Sequence, residues 1–258
     1  MTKPLDRRRL LARTAAILGA LPLAGCDLGS QNPTVDKILD SAEALTERAQ
    51  RAVLSQKSMA REYPEADISK NFRANGSTDP DDPGYRALVQ SGFKDWRLEV
   101  GGLVDNPIAL SLGDLRTLPS RTQITRHDCV EGWSCIGKWT GVPLGTVLKR
   151  AGLKPNAKYI VFYCADSLGQ SLDQSNQYYE SIDLFDAFHP QTILAYDMNG
   201  APLTVPYGAP LRVRVERQLG YKMAKYIMKI AAVESFANIA GGHGSYWADR
   251  GYEWYAGI

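Results

Sequence analysis

Cys129 stands in a run of polar and aromatic residues, Asp128-Cys129-Val130-Glu131-Gly132-Trp133-Ser134, which leads to Trp139-Thr140-Gly141-Val142-Pro143-Leu144. A thiolate is a soft ligand for a soft transition metal and also a nucleophile. The competing reading is a buried structural cysteine, the default for a lone one. Glu131 follows two residues on. If Cys129 ends a strand, alternation turns both side chains, and His127 with them, to one face. There Glu131 can relay protons or orient a bound water, or stand as an exposed or ion-paired acid; His127 can relay a proton or simply pack.

The elements that must position these residues show in the hydrophobic pattern. Val35, Ile38, Leu39, Ala42, Leu45, Ala49, Ala52 and Val53 recur at three- and four-residue steps, which predicts an amphipathic helix over roughly 35–62. It packs on the main domain or docks a membrane redox partner. Residues 63–84 read as an irregular segment rich in Pro and Gly, long enough to be functional. From residue 93 strands and short helices mix. Strands are expected at Trp96–Val100, Ser120–His127, Tyr159–Cys164, Thr192–Tyr196, Leu211–Val215 and Ile227–Glu234. Short helices are expected after Leu110, over Leu144–Ala151 with Gly152 as its stop, and opening at Ser181–Phe185. No regular strand–helix alternation and no glycine-rich dinucleotide fingerprint occur, so the pattern argues α+β and not a doubly wound sheet.

The first 26 residues read as a targeting segment. Asp6-Arg7-Arg8-Arg9-Leu10-Leu11 has the form of a twin-arginine export signal, and Leu23-Ala24-Gly25-Cys26 that of a lipoprotein cleavage box that would leave Cys26 lipidated. That route carries folded proteins, as a cofactor inserted before export requires. The expected location is periplasmic, with a lipid anchor at Cys26; Asp27 is a weak hint of the inner membrane. Of 258 residues, 44% are hydrophobic and 22% charged, ordinary for a globular chain with a sizeable core. Five cations stand against one acid in residues 1–26, so the net charge of +2 for the whole chain becomes −2 beyond them. A nucleic-acid reading loses its footing there. Beyond Cys26 three cysteines remain, Cys129, Cys135 and Cys164, an odd number that leaves at least one thiol outside intramolecular disulfides; a Cys135–Cys164 bond would complete the count.

The string from Cys129 to Leu144 resembles the sulfite oxidase fold family of molybdopterin enzymes, most closely the catalytic subunits of periplasmic methionine sulfoxide reductases. The resemblance covers about residues 70–258. It implies three segments: a signal over 1–26, a tether and amphipathic helix over 27–69, and a molybdopterin-binding oxidoreductase domain over 70–258. It also implies the compact α+β sulfite oxidase-type fold of mixed sheets with short helices, and a molybdenum–molybdopterin cofactor whose metal is ligated by Cys129 with Glu131 beside it. Asn71-Phe72-Arg73-Ala74-Asn75-Gly76 is similar to the family's Asn-Phe-x-x-x-Gly segment, which implies cofactor contacts from Asn71, Ala74 and Asn75. Gly208-Ala209-Pro210-Leu211-Arg212 matches a Gly-Ala-Pro-x-Arg motif, with Arg212 on the pterin phosphate. Gly220-Tyr221-Lys222-Met223-Ala224-Lys225 matches a Gly-Phe-Lys-x-x-Lys run, with Met223, Ala224 and Lys225 offering amides and a cation to the same phosphate. Three positions depart from the reductases. Cys164 replaces a cofactor-contacting threonine and is a weaker hydrogen-bond partner, Tyr207 replaces an asparagine, and Asp128 replaces an arginine.

The implied activity is oxygen-atom transfer on a sulfoxide, N-oxide or related small molecule, with electrons exchanged with a membrane or soluble cytochrome. No haem or iron–sulfur motif follows residue 26. An acid at position 128 lowers the positive potential that an anion such as sulfite needs, and Arg126 is expected to face away, so a neutral oxide is favoured over a sulfite dehydrogenase-like oxidation. Two other classes stay open. One is a zinc or divalent-metal protein using Cys129, Cys135, Cys164, His189 or His243, whose spacing matches no paired zinc pattern. The other is a non-catalytic lipoprotein.

Overall fold

The structure, a computed structural model, describes residues 33–55, 58–169 and 176–258. The signal and its cleavage box lie outside the described residues. Helix α1 runs Pro33–Val53, nine residues shorter at its end than the periodicity predicts. Its last backbone bond is from the amide of Leu54 to Gln50; beyond it the Ser58 amide turns back to Ser55, and Glu62 forms a bridge to Thr125. Serines that bond locally stop the helix where its apolar stripe ends. The chain divides after Thr46, and the second unit, Glu47–Ile258, carries every strand among the described residues. No described helix is long and apolar enough to cross a membrane.

Helix α2, Pro83–Gln90, is an element the sequence pattern did not announce, although Asp82-Pro83 is a start signal. The Asp82 carboxylate accepts from the Tyr85 amide at 2.6 Å, and Pro83 takes the first helical position, where no amide is needed.

Two five-stranded sheets follow. The first contains β1 (Leu98–Gly102), β2 (Ile108–Leu110), β5 (Tyr159–Ser167), β6 (Gln177–Asp183) and β10 (Ile227–Val233) in the order β2-β1-β10-β5-β6. Only β1 and β10 run parallel. The second contains β3 (Arg121–Asp128), β4 (Ser134–Pro143), β7 (Ile193–Met198) and β8 (Ala201–Pro202) in that order, with β9 (Arg212–Arg214) paired to β7. Short helices α3 (Leu112–Thr117), α4 (Leu144–Ala151) and α5 (Leu184–Ala187) connect them. This is the α+β arrangement of mixed sheets and short helices that the sequence implies. The helix expected to open at Ser181 starts three residues later. Ser181–Asp183 complete β6, and Asp183 then caps α5 by accepting from the Asp186 amide at 2.9 Å.

Leu98, Ile160, Phe162, Ile182, Val213 and Ile230 are wholly or almost wholly buried, joined by Leu144, Val147, Leu148 and Ala151 on the inner stripe of α4. Trp139 of β4 is fully buried in a second cluster with Phe72 and Ile193. The Arg214 and Arg212 guanidiniums lie 4.4 and 4.9 Å from its ring centroid, and the Phe72 ring meets it edge-on at 5.4 Å. This cluster fixes one flank of the region around Cys129.

Candidate active site

Strands β3 and β4 pair in register up to Asp128 opposite Ser134, and Cys129 opens the loop between them. Its amide donates to Trp133 at 2.9 Å, and the Gly132 amide returns to Cys129 at 3.0 Å. The turn needs a left-handed residue, which Gly132 supplies at φ +85°. Cys129 therefore begins a turn and does not end a strand, so the shared-face geometry expected for Glu131 and His127 does not hold. Cys129 is 9% exposed. Burial raises its thiol pKa, opposed by the amides of Glu131 and Val130, which point at the sulfur, and by Arg73. Glu131 swings out to the surface side of the turn, where the Trp133 indole donates to it at 2.9 Å and Arg73 lies 3.5 Å away.

His127 faces the interior and is fully buried. Arg214 donates to its Nδ1 at 2.9 Å; a guanidinium can only donate, so Nδ1 accepts and Nε2 carries the proton. Burial, then Arg214, Arg212 and Lys225, depress its pKa well below the ordinary imidazole value, and the ring stays neutral. Nε2 has no protein partner. The ring supports the turn from behind: a Cβ on Gly220 would come within 2.4 Å of His127 Nε2.

Above this wall opens a pocket of about 140 Å³. Cys129, Val130 and Glu131 form one side, Asn75, Gly76 and Ser77 another, and Gly220, Tyr221, Met223 and Lys225 a third. Asp166 and Leu168 beyond the middle of β5, Tyr178 of β6, and Trp247 and Tyr252 close it. Of the residues singled out from sequence, Asn75, Cys129, Glu131, Met223 and Lys225 meet here. Asn71, Ala74, Cys164, Tyr207, Arg212 and Ala224 do not line it. Asn71 is exposed, while Cys164 and Ala224 are buried in the core. Tyr207 and Lys225 fasten the loop that does. The Tyr207 hydroxyl donates to Phe72 at 2.8 Å, and Lys225 Nζ donates to the carbonyls of Asn75 at 2.6 Å, Ser77, and Pro206 at 3.2 Å. Burial lowers the Lys225 pKa to about 7.

Arg212 is 1% exposed and donates one bond, to Tyr207 at 3.1 Å; Nε and Nη2 have no partner. Burial and Arg214 bring its pKa down to about 9. Buried donors without acceptors cost about 1–3 kcal/mol each, more when charged, and an anion would satisfy them. A soft sulfur at the pocket wall and unsatisfied cationic donors behind it fit a group with a thiophilic metal at one end and an anionic tail at the other.

One electrostatic expectation changes. Arg126 and Asp128 are two apart on one strand and therefore share a face; their side chains pair at 2.8 Å, and Ser134 adds a hydrogen bond at 2.5 Å. The Asp128 charge is thus compensated by Arg126, and its effect on the pocket is smaller than the sequence argument required. The thiols of Cys129, Cys135 and Cys164 are all free. Cys135, on β4, takes the Arg73 amide at 3.5 Å, whereas Cys164 lies within β5 of the other sheet. Among the described residues no group of three or more His, Cys, Asp or Glu is placed to hold a metal ion.

Sequence reasoning missed Asp166, Tyr178 and Trp247. An acid directly after the apolar run Tyr159–Ala165 is the available signal for Asp166; nothing in the pattern singles out the aromatics.

Residues 86–238 match the family described as "Oxidoreductase molybdopterin binding domain". A candidate protein-methionine-sulfoxide reductase subunit of Azospira oryzae, YedZ1, is 37% identical over 97% of this chain and 87% of its own length. The protein-methionine-sulfoxide reductase catalytic subunit MsrP of Xanthomonas axonopodis is 35% identical over 91% of this chain and 72% of its own. The sulfane dehydrogenase SoxCD of Paracoccus pantotrophus gives a looser likeness: 23% identity, TM-score 0.49, over 55% of this chain and 39% of its own. The chain belongs to the molybdopterin-binding oxidoreductases of the sulfite oxidase family.

Proposed function

We propose that this enzyme reduces sulfoxides, with methionine sulfoxide in proteins as the leading substrate. The carrying observation is the character of the pocket beside Cys129. Its wall is aromatic and thioether-like, from Tyr178, Tyr221, Trp247, Tyr252 and Met223. Its ionisable side chains include two acids, Glu131 and Asp166, and one lysine already engaged by three carbonyls. Such a pocket disfavours a dianion and suits a neutral, dipolar S–O group whose sulfur packs on aromatic rings. The names of the relatives support the same reading.

Molybdopterin bound with molybdenum at Cys129 supplies two-electron oxygen-atom chemistry. The chain's own residues hold and orient: Arg212 offers its unpartnered Nε and Nη2 to the anionic tail, and Lys225 with Tyr207 secures the loop 72–77 over the pocket. The aromatic wall orients the thioether end of the substrate. Electrons come from a partner, consistent with relatives named as subunits; a membrane or soluble cytochrome is the proposed class. Export by the twin-arginine route, lipidation at Cys26, a periplasmic location and the segment limits 1–26, 27–69 and 70–258 are part of this proposal and rest on the sequence motifs.

The test is turnover by cofactor-loaded enzyme with a reduced viologen dye. Dialkyl and methionine sulfoxides should oxidise the dye, and sulfite should not be oxidised with an artificial acceptor. Sulfite oxidation without sulfoxide reduction contradicts the proposal.

A further inference from the structure

The pocket wall includes a buried carboxyl with one unpartnered oxygen. Asp166 is 3% exposed, lines the pocket, and its Oδ1 has no partner. A buried carboxyl left open in this way is costly unless a ligand uses it or it holds a proton. Sulfoxide reduction needs a proton source, because the departing oxygen leaves as water.

Four other ionisable groups of the pocket are already bonded. Lys225 gives its hydrogens to three carbonyls. The Tyr178 hydroxyl donates to Tyr221 at 2.6 Å, and the Tyr221 hydroxyl to Glu253 at 2.7 Å. Glu131 accepts from Trp133 and faces Arg73. We propose that Asp166 is the general acid of the pocket, delivering its carboxyl proton to the oxygen that leaves the sulfoxide. The inference rests on the sulfoxide reading above. In the step the S–O bond breaks, sulfur is reduced by two electrons from the enzyme's external reductant, and the oxygen departs as water. One proton comes from Asp166, which regains it from solvent through the pocket mouth, and the second comes from solvent.

The surroundings suit the role. Burial raises the Asp166 pKa to about 7, opposed mainly by Lys225. Around it stand Cys164 on its own strand, Tyr178 on β6, Tyr85 of α2, and Tyr226 beside Lys225 ahead of β10. Of these only Lys225 is a cation. A general acid works best when its pKa lies near the working pH.

The test compares wild type, Asp166→Asn and Asp166→Glu as cofactor-loaded enzymes, with three readouts: pterin content after oxidative release, the pH profile of kcat for methionine sulfoxide, and a 13C NMR titration of aspartate carboxyls. The expected result is full pterin content in all three. Asp166→Asn should lose about 100-fold or more in kcat and the fall in rate that wild type shows above neutral pH, while Asp166→Glu should restore that fall. One carboxyl signal titrating near neutrality should vanish in Asp166→Asn. Loss of pterin from Asp166→Asn and Asp166→Glu would make Asp166 a cofactor anchor and overturn the proposal, as would an unchanged pH profile in Asp166→Asn. If wild type reduces no sulfoxide, the substrate reading fails separately; a neutral-range carboxyl absent from the wild-type NMR titration overturns the acid assignment on its own.

Discussion

Asp186 and Asp166 are both buried carboxylates, and their surroundings are opposite. Asp186, 2% exposed, accepts from Arg51 at 3.0 and 3.1 Å, from Arg217 at 3.1 Å and from Gln218 at 2.5 Å. Burial alone would raise its pKa; the Arg51 and Gln218 hydrogen bonds and the two guanidinium charges overcome that and hold it below the ordinary carboxylate value. Asp166 has an open oxygen and a pKa raised to about 7. The cations divide by their partners: Arg51 and Arg217 are bonded to carboxylates, although Arg217 Nε has no partner, whereas Arg212 donates only to a backbone carbonyl and keeps Nε and Nη2 unpartnered. A saturated buried charge is architecture, tying the end of α1 to α5. An unsaturated one next to a pocket marks where a ligand completes the protein.

The contrast can be broken from either side. The largest effect is expected at the ligand-facing end: Cys129→Ser should abolish measurable turnover and release molybdenum, read by activity and metal analysis. Arg212→Met should weaken cofactor retention about 10- to 100-fold, from the loss of charge-assisted bonds worth roughly 1.5–3 kcal/mol, read by pterin content at limiting cofactor. On the architectural side, Asp186→Ala takes the carboxylate from the buried Arg217 and leaves Arg51 with Asp183 and Glu47, and should cost about 3–5 kcal/mol. Thermal melting should fall by roughly 10 °C, with pterin per folded chain unchanged. The surface pair is the control: Arg126→Gln should change stability by less than about 1 kcal/mol, because exposed ion pairs are worth little.

The two carboxylates also give opposite pH signatures. The depressed Asp186 contributes stability that is present above the ordinary carboxylate value and is lost as pH falls through its folded pKa. The raised Asp166 works the other way: in cofactor-free protein, stability declines as pH rises from the ordinary carboxylate value toward about 7, because the folded state retains a proton that the unfolded chain has released. Melting curves of cofactor-free wild type and Asp166→Asn across this range should differ in slope; parallel curves would contradict the assignment.

What the sequence disclosed follows from how locally each feature is encoded. The cysteine loop, α4 with its Gly152 stop, and most strands are written in contiguous residues, and they fall where the pattern places them. The identity of Cys129 was legible from its neighbours, but its geometry was not: a glycine at 132 turns the chain and carries Glu131 away from the strand face. The same limit hid Asp166 and the aromatic wall, whose members are brought together from β5, β6 and residues 221–252 only by the sheet packing. The end of helix α1 is hidden because local serine bonds, and not a break in composition, stop it, and β6 is hidden because polar and aromatic residues interrupt its apolar alternation.

The central claim is that the pocket beside Cys129 is completed by a molybdenum–molybdopterin group. The direct measurement is metal and pterin analysis of protein matured in a host that makes the cofactor, wild type beside Cys129→Ser. The account predicts about one molybdenum and one pterin per wild-type chain, as expected for a single soft-ligand site, with molybdenum lost from the variant. Wild-type protein carrying neither, or stoichiometric zinc in their place, would contradict it.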